Sequence, residues 1–247
     1  MDFFAFPPVA ALLDLAYAGF MGLASLLEPV AGGSAAAAAV VLVTLLVRAA
    51  LIPVGVSQAK AEQARARLAP ALAALRRRFG NDPERLQRET MQLYRDERTS
   101  PFAGCLPVLL QAPVVGIVYA VFLHRTIAGH ANALLDHTLF GVPLGTSLVG
   151  SLSGGAPDAA ALAVCGTIAL LIAGVGELTR RLLRVPPLPR VADSPVPAAA
   201  TSLLGVLQFT TAVVALFVPV AAGLYLLTTV AWTLAQRLIL RRVHPLP

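Results

Sequence analysis

The sequence predicts an all-α polytopic membrane protein: a five-helix core with a groove open to the cytoplasm, and a helical hairpin in the cytoplasm. Three observations carry that prediction. Of the 247 residues, 57% are hydrophobic and 13% are charged, about half the charged share of an ordinary soluble domain. Apolar stretches long enough to cross a bilayer recur at 34–56, 104–124, 159–180, 201–218 and 220–240. Lysines and arginines fall in blocks that all lie on one side if these five spans alternate across the membrane.

Residues 1–33 precede the first span and hold no Lys or Arg. Within them, Pro8 to Leu27 is apolar, contains Asp14 and ends at Glu28. Its modest length and the acid favour an amphipathic helix over 8–27 lying on the membrane surface, in preference to a sixth span. No basic region precedes an apolar core, so no signal peptide is read. The first span, 34–56, leads into 57–100, which carries ten basic residues from Lys60 to Arg98. There Leu68, Leu72, Leu75 and Phe79 recur at helical spacing, as do Leu86, Leu93 and Tyr94, which predicts two amphipathic helices. Between them "GNDPE" supplies Gly80 as terminator, Asp82 as N-cap and Pro83 at the first helical position. Pro70 is expected to kink the first arm.

The second span, 104–124, is followed by an extracytoplasmic loop, 125–158, and no basic residue occurs from 126 to 179. The third span, 159–180, ends at Arg180 and Arg181 and opens into a Pro-rich cytoplasmic loop, 181–200. The fourth and fifth spans, 201–218 and 220–240, meet at Pro219 as a tight hairpin, and a short tail, 241–247, closes the chain. The charge blocks therefore place the N-terminus outside and the C-terminus in the cytoplasm. Cys105 and Cys165 both lie in apolar segments, which argues against a disulfide framework or a thiolate metal site.

One basic residue breaks the pattern. Arg48, in "LLVRAALIP", sits about eight residues, or about 12 Å, inside the first span. An arginine at the centre of a span costs about 2.5–3.5 kcal/mol on insertion scales. Helical side chains lean toward the N-terminus, so with the N-terminus outside Arg48 points toward mid-membrane, and snorkelling to the cytoplasm works against that geometry. A cavity wet from the cytoplasm costs less.

The other spans repeat the layering. Gln111, Gln208, Thr210 and Thr211 fall in cytoplasmic halves, Glu177 lies one turn before the Arg180 boundary, and Thr228, Thr229, Trp232 and Thr233 occupy the inner part of the fifth span. The outer halves are almost wholly apolar. This describes a recess open to cytoplasm and sealed beyond it. Against that stands a structural reading, in which Gln and Thr join helices while Glu177 and Trp232 anchor the interface.

These residues resemble the YidC/Oxa/Alb membrane protein insertases. "LVRAALIP" is similar to that family's first core span, with one arginine shortly before a proline and a cytoplasmic hairpin directly after. "SPFAGCLPVLLQAP" (Ser100 to Pro113) resembles its Asn-Pro-x-x-Gly-Cys-Leu-Pro-x-x-x-Gln stretch, and "PVAAGLYLLTTVAWTLAQRLILRR" resembles its last span. The likeness runs over residues 35–242 in order and spacing. It implies five helices around a hydrophilic groove in which Arg48 meets polar or acidic parts of an entering membrane protein. Gln111, Tyr225 and Trp232 match family positions; Gln208 and Thr229 are placed with them by depth. Glu177 matches no motif, and pairing with Arg48 would lower the net charge of the groove. Ser100 and the Thr229–Val230 pair depart from the family pattern. The short start resembles actinobacterial members, and the short tail leaves ribosome contact to the hairpin, 57–98. Implied partners are nascent membrane proteins and the lipid bilayer of a bacterial cell membrane, with the ribosome and a Sec translocon as candidates. No cofactor, metal, nucleotide or small-molecule substrate is implied.

Two other classes fit less well. An intramembrane enzyme would want an HExxH, an acid pair or a serine with a histidine at matching depth, and the sequence offers none. His124, His130 and His137 fall at or beyond the outer boundary, where solvation accounts for them. A transporter with a cationic half-membrane site would want polar groups in both halves and an internal repeat.

Overall fold

Local sequence sets where each helix starts and stops, and prolines do much of it. The computed structural model describes residues 6–97, 99, 106–153, 158–183 and 209–243, without the side chains of Arg65 and of residues 106–111. Helix α1 (Pro7–Ala31) opens on a proline at its first position, where a missing N–H costs nothing. It ends at Gly32, whose φ of 50° favours a glycine. A 3₁₀ turn, Gly32–Ser34, leads to α2 (Ala35–Ala50).

The first expected span, 34–56, is divided. Helix α2 stops at Ala50, Leu51 leaves helical geometry with ψ of 6°, and α3 (Ile52–Phe79) begins at once. Pro53 is the reason: its ring excludes an N–H donor and crowds the carbonyl four residues earlier, so the ladder restarts with Pro53 in the first turn of a new helix. Helix α3 then continues through Pro70 for 28 residues. Gly80 follows in right-handed helical geometry (φ −60°, ψ −27°), so it supplies space, not a left-handed turn. A Cβ there would lie 2.7 Å from the Arg76 carbonyl oxygen. Asp82 caps α4 (Pro83–Asp96) by accepting a hydrogen bond from the Arg85 N–H at 3.0 Å, with Pro83 at the first position as the sequence predicts.

Helix α5 (Leu106–Leu123) leads into a structured loop. Strands β1 (Thr126–Ile127) and β2 (His130–Ala131) pair antiparallel, as do β3 (Thr138–Leu139) and β4 (Val142–Pro143). Both hairpins turn on two residues of positive φ, Ala128–Gly129 and Phe140–Gly141, the twist that suits adjoining strands. Helices α6 (Leu148–Ser153), α7 (Ala159–Leu182), α8 (Thr210–Val214) and α9 (Val220–Val243) complete the described chain. Residues 201–208 of the predicted fourth span and 184–200 of the cytoplasmic loop lie outside the described residues.

Among the described residues, three helical stretches are long and apolar enough to cross a membrane: Pro7–Ala50, Ala159–Leu182 and Val220–Val243. Ala112–Leu123 is a shorter apolar helix. With large apolar side chains such as Leu46, Leu170, Leu171, Val213 and Phe217 facing outward, this is an all-α polytopic membrane protein.

The core gathers where the bundle meets the 125–147 loop. Alanines 36, 37 and 39 and Val40 on α2 are buried and let α1 and α9 approach closely. Phe20 of α1 packs edge-on against Phe122 of α5 at 5.1 Å between ring centres. Ile127, Leu134, Val142 and Leu144 from the loop are fully buried and close this end. The loop also satisfies helix termini that would otherwise be orphaned. Asn132 donates from Nδ2 to the carbonyls of Val121 (2.6 Å) and His124 (2.9 Å) at the end of α5. The Thr146 and Leu144 carbonyls accept from Val220 and Ala221 at the start of α9, at 2.9 and 3.0 Å.

Candidate functional site

At the opposite end of α2, the helix break opens a polar recess of about 110 Å³. Arg48 stands on its wall in the last turn of α2, where a cation also favours the helix dipole. One side is a stripe of α3, Gly55, Gln58, Ala59 and Glu62; the other is α9, with Thr233, Gln236, Arg237, Leu240 and Arg241. Each set recurs at spacings of three and four, one helix face against another.

Close approach of these faces depends on Gly55. A Cβ there would collide with the Gln236 side-chain amide, so only glycine leaves that amide its place. The Trp232 indole N–H donates to Gln236 Oε1 at 3.1 Å, which turns the Nε2 end inward, where it is buried with no hydrogen-bond partner among the described residues. The Thr229 hydroxyl is likewise buried, with the Tyr225 hydroxyl near it. By contrast, Thr228 and Thr233 donate to carbonyls of their own helix, Leu224 and Thr229, each at 2.8 Å. Each thus spends its proton within its own helix.

Tyr225 joins the two ends of the molecule. Its ring is buried beside Tyr119 and Phe122, at 6.0 Å from each, while its hydroxyl is within interaction range of the Arg48 guanidinium and of Thr229. Arg241 ties the mouth together: its guanidinium lies 3.9 Å from Glu62 of α3 and donates to the Leu183 carbonyl, beyond α7, at 3.5 Å.

The structure brings together only part of the set that the sequence predicts. Arg48 lines the recess; Tyr225, Thr229 and Trp232 lie on the helix that forms one wall. Glu177 is engaged elsewhere. Both its carboxylate oxygens accept from its own helix, with Arg180 at 2.7 and 2.8 Å and Arg181 at 2.7 Å, and it is not among the described residues that line this recess. The reason is local: arginines three and four residues on reach it without crossing between helices. The side chain of Gln111 and all of Gln208 lie outside the described residues. Sequence reasoning missed Gln58 and Glu62, which it placed in the cytoplasmic hairpin, and Gln236, Arg237 and Arg241, which it placed at the end of the fifth span and in the tail. The small and polar stripe at 55, 58, 59 and 62, against the leucine stripe further on, was the available signal.

Among the described residues, no three His, Cys, Asp or Glu side chains are grouped to hold a metal ion. Apolar spans, a buried core at one end and a basic polar recess at the other define a membrane protein with a polar site set among its helices. Residues 27–245 match the family described as 60Kd inner membrane protein, and the chain belongs to that family. It is 28% identical over 218 residues to the membrane protein insertase YidC of Streptomyces avermitilis, covering 83% of this chain and 51% of that one. Against the membrane protein insertase YidC of Clostridium perfringens it is 32% identical over 119 residues, 48% of this chain and 50% of that one. Against that of Pasteurella multocida it is 40% identical over 89 residues, 36% and 16% of the two chains. The chain thus spans about half the length of the first two relatives and a smaller part of the third.

Proposed function

We propose that this protein is a membrane protein insertase that acts without nucleotide, with its recess facing the cytoplasm and the lipid. The observation that carries the reading is Arg48 on the wall of an open, polar recess, with a fully buried core at the other end of the same helices. A nascent hydrophobic segment pays heavily to carry its polar flank through hydrocarbon. A wet cationic pocket partway across shortens the dry path, and charge-assisted hydrogen bonds hold an acidic flank there. Burial of the client's apolar helix in lipid then drives release from the pocket. A membrane potential that is negative inside adds about 2.3 kcal/mol per negative charge per 100 mV of outward movement.

The same reading sets the topology: N-terminus outside, α3–α4 in the cytoplasm as the surface offered to a ribosome, and the 125–147 loop outside. Helix α1 then lies along the outer surface. Support for this comes from its contacts, since Asp14 and Tyr17 meet His130 in the loop and Phe20 meets Phe122 at the end of α5.

The test is insertion into liposomes that contain only the purified protein. Arg48→Ala is expected to lower insertion of a client with an acidic translocated flank about tenfold, the size of one lost charge-assisted hydrogen bond, while the protein itself folds and stays in the bilayer. A cysteine placed beside Arg48 should react with a polar maleimide added from the hairpin side only. Undiminished insertion by the alanine variant, or labelling from both sides, would overturn the mechanism.

A further inference from the structure

Among the described residues that line the recess, Glu62 is the one acid, set against Arg48, Arg237 and Arg241. Its place along the path matters as much as its sign. Helix α3 leads away from the Arg48 level, and Glu62 lies ten residues past its start, about 15 Å along the axis. A polar segment that enters from the hairpin end therefore meets Glu62 and Arg241 first and Arg48 last. The carboxylate is half exposed, and it shares Arg241 with the Leu183 carbonyl.

We propose that Glu62 sets the charge selectivity of the recess, resting on the insertase reading above. A carboxylate at the mouth repels acidic flanks directly and keeps Arg241 occupied. Both effects weaken the attraction of the inner arginines for anions and let cationic flanks pass. Removing the charge leaves three uncompensated arginines, and the two effects change in the same direction. The interaction is a Coulombic one at a partly wet site, so its size is a few-fold and it weakens with salt.

The experiment uses the full chain in phosphatidylethanolamine–phosphatidylglycerol liposomes. Three single-span clients differ only in a translocated flank carrying two Asp, two Asn or two Lys. Glu62→Gln is expected to raise the Asp-to-Lys insertion ratio about three- to tenfold, with the shift shrinking at 0.5 M salt; Glu62→Asp restores the wild-type ratio. An unchanged ratio in Glu62→Gln, alongside a reduced Asp client in Arg48→Ala, sinks the role of Glu62 and leaves the insertase reading intact. An equal fall for all three clients also sinks it, since that marks a structural residue. Failure of the wild type to insert any of them defeats the insertase reading itself.

Discussion

The two ends of the helical bundle are built from the same helices to opposite rules. Near the 125–147 loop, α1, α2, α5 and α9 pack through Ala36, Ala39, Val40, Val121, Phe122 and Ala221, none of which exposes any surface. Backbone polar groups there are consumed by loop carbonyls and by Asn132. Near the α3–α4 hairpin, the same α2 and α9 carry Arg48, Gln236, Arg237 and Arg241 around an open recess, and the Gln236 Nε2 group is buried without a partner among the described residues. The difference lies in the charges and the opening: each end also holds a buried side-chain atom unpartnered among the described residues, Asn132 Oδ1 at the closed end and Gln236 Nε2 at the open one, at about 1–3 kcal/mol each.

The sharpest way to break this comparison is at the sealed end. Phe122→Ala empties a fully buried site between Phe20 and Tyr225 and should cost about 3–5 kcal/mol. Thermal unfolding in detergent reads that loss directly. Insertion activity should fall only in proportion to the folded fraction, and a selective loss of insertion at full folding would show that the two ends are not separable.

A smaller effect is expected at the open end. Gly55→Ala drives a methyl into the Gln236 amide, gains about 0.5–1 kcal/mol of helix preference, and so leaves overall stability close to unchanged. It should break the Trp232–Gln236 hydrogen bond. Trp232 is the single tryptophan of the chain, so a shift in its fluorescence maximum reports the displacement. Unaltered emission would mean that Gln236 does not depend on Gly55.

The smallest effect lies on the surface. His130 donates from Nε2 to Asp14 at 2.8 Å, and that bond, with a second to the Ala131 carbonyl, raises its pKa above the ordinary value. A histidine raised on folding contributes stability that is fully present below its unfolded pKa of about 6.5 and is lost as pH rises through the raised value. The contact of α1 with the loop should accordingly loosen on the alkaline side of neutrality. Hydrogen exchange of α1 amides at pH 6 and pH 9 should show that loosening in the wild type and not in Asp14→Asn; equal pH response in both would remove the pair from the account.

One part of the candidate site was legible because it is expensive in any fold. An arginine in a span needs water or a partner wherever the chain goes, so Arg48 pointed to a polar neighbourhood before any packing was known, and it lines the recess. The caps at Asp82 and Pro83 were legible for a similar reason, being satisfied within four residues. The partner of Glu177 was left open by the sequence, and the arginines three and four residues on, Arg180 and Arg181, take it within its own helix.

By itself, then, the sequence determined the class: apolar length set the membrane helices, charge blocks set the expected sidedness, and Arg48 required a polar environment. Tertiary structure decided the company that arginine keeps. Which face of α3 meets which face of α9 depends on the break at Leu51 and on Gly55 fitting under Gln236. Those are contacts between residues some 180 positions apart. No local pattern encodes such a pairing, because it is selected by the packing of whole helix faces and not by the preference of any one residue.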